Sequence, residues 1–140
     1  MTVRTYRKLP LEAREIRKAV FIREQGFQNE FDEIDRTAVH LVLYDGELPV
    51  ATCRYFRDAG KQTYVAGRIA VVKSCRKKGC GKQILEEAER QIRALGEKRI
   101  GLSAQVQARG FYETLGYHAE GGVYYDESCP HVWMWKELKP

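Results

Sequence analysis

An α+β, or mixed α/β, domain built round one sheet is the fold this sequence predicts, on three observations. Two β-rich runs in "AVHLVLYDGELPVATCRYF" flank Asp45-Gly46, the pattern of a hairpin. The second half alternates strand-like and helix-like segments before two closing β-rich runs. The chain has 140 residues, 44% hydrophobic and 31% charged, enough for one domain with its own core.

The elements follow in order. "TVRTYR" alternates as an edge strand does. "LEAREIRKAVFIREQ" places Leu11, Ile16, Ala19, Val20 and Arg23 near one face of a helix that Gly26 ends. The acidic stretch "NEFDEIDR" is a loop or short helix. After the hairpin and the turn "DAGKQ", "TYVAGRIAVV" is a further strand. Ile84, Leu85, Ala88, Ile92 and Leu95 recur at helical spacing over Gly79 to Leu95, and Gly96 stands just past the end. "RIGLSA" is a short strand and "ARGFYETLG" a short helix stopped by Gly116. "VYYD" and "HVWMWKEL" are the closing strands. No repeat or linker interrupts residues 1–140, so a single domain is expected.

Composition narrows the function. No long apolar run suits a membrane span, and "MTVRTYRKLPLEAREIRK" has no apolar signal segment, so a cytoplasmic protein is expected. The net charge of +5 permits an anionic ligand or nucleic acid and demands neither. Cys53, Cys75, Cys80 and Cys129 form no C-x-x-C pair and have no clustered histidines, so no metal site is expected and the thiols are read as free.

The chemistry concentrates in "RIAVVKSCRKKGCGKQ". A strand ends there, a loop follows, and a helix begins. The first turn of a helix leaves N–H groups unpaired, and the helix dipole adds positive potential. Gly79 and Gly81 let the backbone approach an anion closely, and Arg76 and Lys82 offer charge-assisted bonds to the same oxygens. A Walker A loop is excluded, because Arg76 stands where it needs glycine and Gln83 where it needs Ser or Thr. A dinucleotide fingerprint is excluded by Ile84 at its last glycine. What remains is R-x-x-G-x-G after a β-run. On its own it is a pyrophosphate cradle or a basic surface turn.

A second motif, "ARGFYETLGY", lies downstream of the first and of its helix. Together, in this order and separation, they resemble the GNAT superfamily of acetyl-CoA-dependent N-acetyltransferases, over nearly the whole chain. "VFIREQGF", "EIDRTAVHLV", "AQVQARGFY" and "CPHVWMW" are most similar to the small bacterial ElaA-like or YjcF-like branch. The resemblance implies a twisted mixed sheet flanked by helices, whose splayed central strands admit the pantetheine arm like an added strand. It implies that backbone groups of Val71, Val72 and Lys73 pair with that arm. It implies that Arg76, Lys77, Lys78, Gly79, Cys80, Gly81 and Lys82 hold the pyrophosphate, mainly through backbone N–H groups. The sequence departs from the family pattern at Lys73, often proline, at Cys75, often aromatic, and at Gly67, often an acidic residue that helps deprotonate the amine. The general base is therefore open.

Acyl transfer to an amine needs a neutral amine, a polarised thioester, an oxyanion donor and a proton for the leaving thiolate. The N–H of Val71 is the expected oxyanion donor. Tyr112 is the candidate general acid, because the family places a tyrosine there near the CoA sulfur. Phe111 is expected against the cofactor's apolar arm. Glu24, at the end of the first helix, and His131, at the start of the last strand, are the candidate bases. Gln105 and Gln107 are candidates to line the pocket, and Gln105 is assigned to the cofactor. Asp32, Glu33 and Asp35 form an acidic loop able to attract a cationic amine. His40 belongs to the sheet.

Trp133 and Trp135 are packing residues or a candidate homodimer surface. The expected partners are acetyl-CoA and an amine acceptor, with no nucleic acid and no membrane. Two alternatives stand beside the enzyme. One is a non-catalytic acyl-CoA-sensing module, which the missing carboxylate at Gly67 keeps open. The other is nucleic-acid binding through "KSCRKKGCGK", disfavoured because no aromatics interleave with its few basic residues.

Overall fold

The computed structural model describes residues 1–139. Seven strands form one sheet in the order β1-β2-β3-β4-β5-β7-β6. They are β1 (Thr2–Tyr6), β2 (Val39–Asp45), β3 (Leu48–Asp58), β4 (Thr63–Val71), β5 (Arg99–Gln105), β6 (His118–Asp126) and β7 (Cys129–Glu137). Neighbours are antiparallel except β4 and β5, which are parallel. That pair needs a crossover, and α2 (Cys80–Ala94) supplies it. The remaining helices are α1 (Leu11–Arg17) and α3 (Arg109–Thr114). The mixed α/β fold is as expected.

Alternation sorts the core into two layers. Leu41 and Leu43 face α2, together with Ile84, Leu85, Ala88, Ile92, Ile100, Leu102 and Met134. Val42 and Tyr44, one residue out of phase, face α1 with Ala13, Ile16, Val20 and Phe21. The expected apolar faces need three corrections. Leu11 is 67% exposed, Arg23 is exposed, and Leu95 lies in solvent past the last turn of α2. Leu11, the first residue of α1, lies on the face opposite Ala13, Ile16 and Arg17; Arg23 has another cause. After Arg17 the helix widens into π turns over Lys18–Glu24, and Gln25 N–H bonds to the Val20 carbonyl at 3.2 Å. Arg17 is buried by the regular period, four residues after Ala13, and the wider turn then keeps Val20 and Phe21 on the buried stripe and turns Arg23 to solvent. Gly26, with φ +78°, ends the helix where expected.

The Trp-rich strand β7 lies inside the sheet, between β5 and β6, so it offers no sheet edge. The Trp133 ring lies on Gly101 of β5, where an added Cβ would sit 2.2 Å from Trp133 Cζ2. Lys61 stacks on Trp133 and Arg99 on Trp135. Gly101→Ala is expected to destabilise by about 1–3 kcal/mol through overpacking. Chemical denaturation of the variant beside the parent measures this.

Candidate active site

β4 outlasts its parallel partner. Its pairs with β5 run only from Tyr64↔Ile100 to Ala66↔Leu102, while β4 continues through Gly67, Arg68, Ile69, Ala70 and Val71. A bulge in the β3–β4 ladder falls in the same stretch, and Arg68 takes φ +50° there. The two central strands therefore part, and a cavity of about 470 Å³ opens between them. Val72 N–H donates to the Val50 carbonyl on β3 (3.0 Å). By the alternation of an antiparallel ladder, the N–H and C=O of Val71 point the opposite way, into the gap. The Val71 carbonyl accepts a bond from Arg76 Nε (3.0 Å), and Arg76 Nη2 pairs with Glu24 at 2.8 Å.

The loop after β4 enters α2 through Gly79, the residue before the helix, in the left-handed conformation with φ +79°. Lys77 is also left-handed, φ +63°. Among the described residues, the N–H groups of 77–82 donate to no backbone carbonyl; the first to do so is Gln83, to Gly79 (3.0 Å). Arg76, Lys77, Gly79, Cys80, Gly81 and Lys82 line the cavity. This is a row of free donors at the positive end of a fifteen-residue helix.

Tyr112 of α3 reaches the same cavity from the β5 side. Its ring packs edge-on against Phe111 and Tyr117, and its hydroxyl makes no hydrogen bond within the described residues. Burial pushes the phenol well above its ordinary pKa, so it stays protonated. Phe111 is 41% exposed and lies over Gly81, where an added Cβ would stand 3.4 Å from its ring.

The far wall is ionic. Arg17, 1% exposed, sends Nε to Glu30 Oε2 (2.9 Å), Nη1 to Asp35 Oδ1 (2.7 Å) and Nη2 to the Glu30 carbonyl (3.0 Å). Arg54 of β3 joins Asp32 (2.6 Å) and Asp35 (2.8 Å). Arg68 Nε lies 2.9 Å from Glu30 Oε2. His40, buried in β2, donates Nε2–H to the Asp35 carbonyl (2.9 Å), and burial lowers its pKa. Burial pushes the Asp35 carboxyl up, but the bonds and charge of Arg17, then the Asp32 N–H and Arg54, outweigh it and hold it far below the carboxylate range. For Glu30 burial wins over Arg68 and Arg17, and its pKa is raised. The turn between β6 and β7 closes this end. Glu127, at φ +48°, accepts the N–H groups of Gln28 and Asn29, both at 2.9 Å.

The sequence profile of the "Acetyltransferase (GNAT) domain" family matches residues 10–138. The chain belongs to the GNAT acetyltransferase family. It is thus an acyl-CoA-dependent N-acyltransferase. It is 42% identical over 128 residues to a Bacillus subtilis (strain 168) protein whose acetyltransferase name is provisional, covering 88% of this chain and 86% of that one. Two solved structures share the fold. Escherichia coli ElaA has a TM-score of 0.85 at 23% identity, covering 97% of this chain and 99% of its own. An aminoglycoside 6'-N-acetyltransferase complexed with coenzyme A has a TM-score of 0.79 at 16% identity, covering 100% and 98%.

Within this GNAT chain, the structure brings Val71, the residues of the glycine loop named above, Gln105, Phe111, Tyr112 and His131 to one cavity. Val72, Lys73, Lys78 and Glu24 are not on its wall. Both backbone groups of Val72 are engaged, its N–H to Val50 and its carbonyl to Cys75 N–H (2.9 Å). The Lys73 carbonyl accepts from Arg76 N–H (3.4 Å). Gln105 bridges to Gln25 (2.8 Å) across a neighbouring opening, where Gln107 also lies. His131 Nδ1 faces the Cys129 carbonyl at 2.9 Å. A carbonyl only accepts, so Nδ1 carries a proton and Nε2 is the nitrogen left without a protein partner among the described residues. The acidic loop is not free to attract an amine through Asp35, which the arginines hold. Asp32 and Glu33 are exposed, but Asp32 is paired with Arg54 and Arg68 and Glu33 with exposed Arg36. Sequence reasoning missed Glu30 and Arg68, both on the cavity wall. The available signal was an arginine directly after Gly67, where a carboxylate was sought.

Proposed function

We propose that this chain transfers acetyl from acetyl-CoA to a primary amine by direct attack. The observation that carries the reading is the unpaired end of β4 leading into the free N–H groups of α2. One end offers strand-like pairing to a pantetheine amide. The other offers donors to a pyrophosphate. The residues present fit both demands, and no tertiary contact has to break at Gly79 or Gly81. The coenzyme A bound to the aminoglycoside acetyltransferase, on the same fold, supports the assignment.

The thioester then lies beside Tyr112, with the Val71 N–H facing the gap as oxyanion donor. The amine attacks the carbonyl carbon, the C–S bond breaks, and the Tyr112 hydroxyl gives its proton to the departing sulfur. An amine with a pKa of about 10.4 is mostly protonated at neutral pH, so it must lose a proton first or during attack. His131 lines the cavity, and in its neutral form Nε2 can accept the incoming N–H and orient the amine. Glu24, tied to Arg76, is left out of the proton path.

Thiol release against a panel of amines tests the reaction. Gly81→Asp puts a carboxylate among the N–H groups assigned to phosphate, with only ordinary contacts at its Cβ. It is expected to weaken acetyl-CoA binding about tenfold or more, or about 1.4 kcal/mol, by calorimetry. Unchanged binding would remove the cradle, and no thiol release with any amine would remove the transferase reading.

A further inference from the structure

We infer that Glu30 takes the proton from the attacking amine, a role that rests on the acetyl-transfer reading above. Three observations support it. First, Glu30 stands on the cavity wall although it is only 3% exposed. Second, its two oxygens are treated differently. Oε2 accepts from Arg17 Nε and faces Arg68 Nε, each at 2.9 Å. Oε1 has no hydrogen-bond partner among the described residues, yet it is not sealed from solvent, since Arg54 Nε is the one unpartnered side-chain atom that is. One oxygen is therefore an anchor and the other is left without a protein partner on a residue that lines the cavity. Third, the anchor ties Glu30 to the bulge of β4. Arg68 directly follows Gly67, and its Nε also donates to the Glu30 carbonyl (3.2 Å). A carboxylate missing from β4 at Gly67 is thus supplied beside the same bulge from the loop after α1.

The charge balance suits the task. Glu30 is faced by Arg17 from α1, Arg54 from β3 and Arg68 from β4. The cavity is also lined by Asp126 at the end of β6, by Glu127, whose carboxylate holds the N–H groups of Gln28 and Asn29 beside Glu30, and by His131 of β7. Burial raises the Glu30 pKa against the arginines, which makes it a better proton acceptor than an exposed carboxylate. In the step, the amine nitrogen bonds to the acetyl carbon and its N–H pair returns to nitrogen as the proton passes to Oε1. The C–S pair leaves on sulfur, which takes the Tyr112 proton. The products are the amide and free thiol, and solvent exchange resets Glu30 and Tyr112.

The test measures kcat and KM against pH for the full chain, Glu30→Gln, Glu30→Asp and His131→Ala, with acetyl-CoA affinity and melting temperature alongside. Glutamine keeps an oxygen for the two arginines, so the wall remains. Glu30→Gln is expected to lower kcat by about 10²–10⁴-fold and to abolish the acidic limb of the profile. Acetyl-CoA affinity should stay within about twofold, because Glu30 is apart from the α2 loop. Glu30→Asp should retain the limb, moved to lower pH, at reduced kcat. A folded Glu30→Gln that keeps the parent's kcat and limb overturns the inference, as does loss of the limb in His131→Ala alone. If Glu30→Gln does not fold, Glu30→Asp decides, and an unmoved limb overturns it. Failure of the acetyl-transfer reading is separate: the parent itself would show no amine-dependent thiol release.

Discussion

Tyr112→Phe is expected to lower kcat by about 10²–10⁴-fold while leaving acetyl-CoA affinity and melting temperature near the parent's. The separation follows from the way the side chain is held. The ring is buried and packs against Phe111 and Tyr117, and phenylalanine keeps those contacts. The hydroxyl has no protein partner, so its removal orphans nothing. What is lost is a phenol that burial keeps protonated beside the place assigned to the thioester sulfur. The thiolate would then leave without a proton. Stopped thiol-release kinetics across pH, with calorimetric acetyl-CoA binding as the control, gives the answer. Full turnover at every pH would end the acid role.

The largest stability effect belongs to Asp35→Asn. Asp35 accepts from Arg17 at 2.7 Å and from Arg54 at 2.8 Å, and both arginines are almost wholly buried. Asparagine leaves two guanidinium groups competing for one neutral oxygen, with an amide facing them. Removing one partner of a buried ionic cluster costs about 3–5 kcal/mol, a fall in melting temperature on the order of 10 °C. The pH dependence has a definite sign. The Asp35 pKa is depressed in the fold relative to about 3.9 in the unfolded chain, so its stabilisation is complete above that value and is lost as pH falls below about 4. Asp32 is shifted the same way. Glu30 acts oppositely: its raised pKa means the fold holds that proton more tightly, so ionisation of Glu30 costs stability as pH rises. Circular dichroism melts at neutral pH and down to about pH 3 should show the parent losing stability on acidification and Asp35→Asn losing less. A variant as stable as the parent at neutral pH would show that the cluster does not hold the fold.

The two effects concern the ionic cluster behind Glu30 and a phenol that lines the cavity, and they differ in how visible they were in the chain. The glycine loop was legible because its chemistry is local. Free N–H groups, a positive helix end and two glycines all lie within one short stretch, and spacing alone places them together. Tyr112 was reached through resemblance, because its closeness to the loop depends on the crossover that sets β5 beside β4. The ionic wall was not legible. Arg17, Glu30, Asp35, Arg54 and Arg68 come from α1, the loop after it, β3 and β4, and no spacing rule joins them. The π turns add to this, since after Arg17 they break the regular period and turn Arg23 out to solvent.

By itself, the sequence determined the elements that rest on short-range physics. These are the two-residue hairpin turn after Asp45, the amphipathic α2 ended at Gly96, the glycine loop at its start, and a mixed sheet as the way to bury them. Only the tertiary structure decided where long-range pairing stops and which charges meet. β5 leaves β4 after Ala66, β7 is drawn inside the sheet, and three arginines converge on the segment that carries Glu30. The reason is physical. Burying a charge is costly unless its partner is also buried, and such partners are chosen by the packed fold from distant parts of the chain.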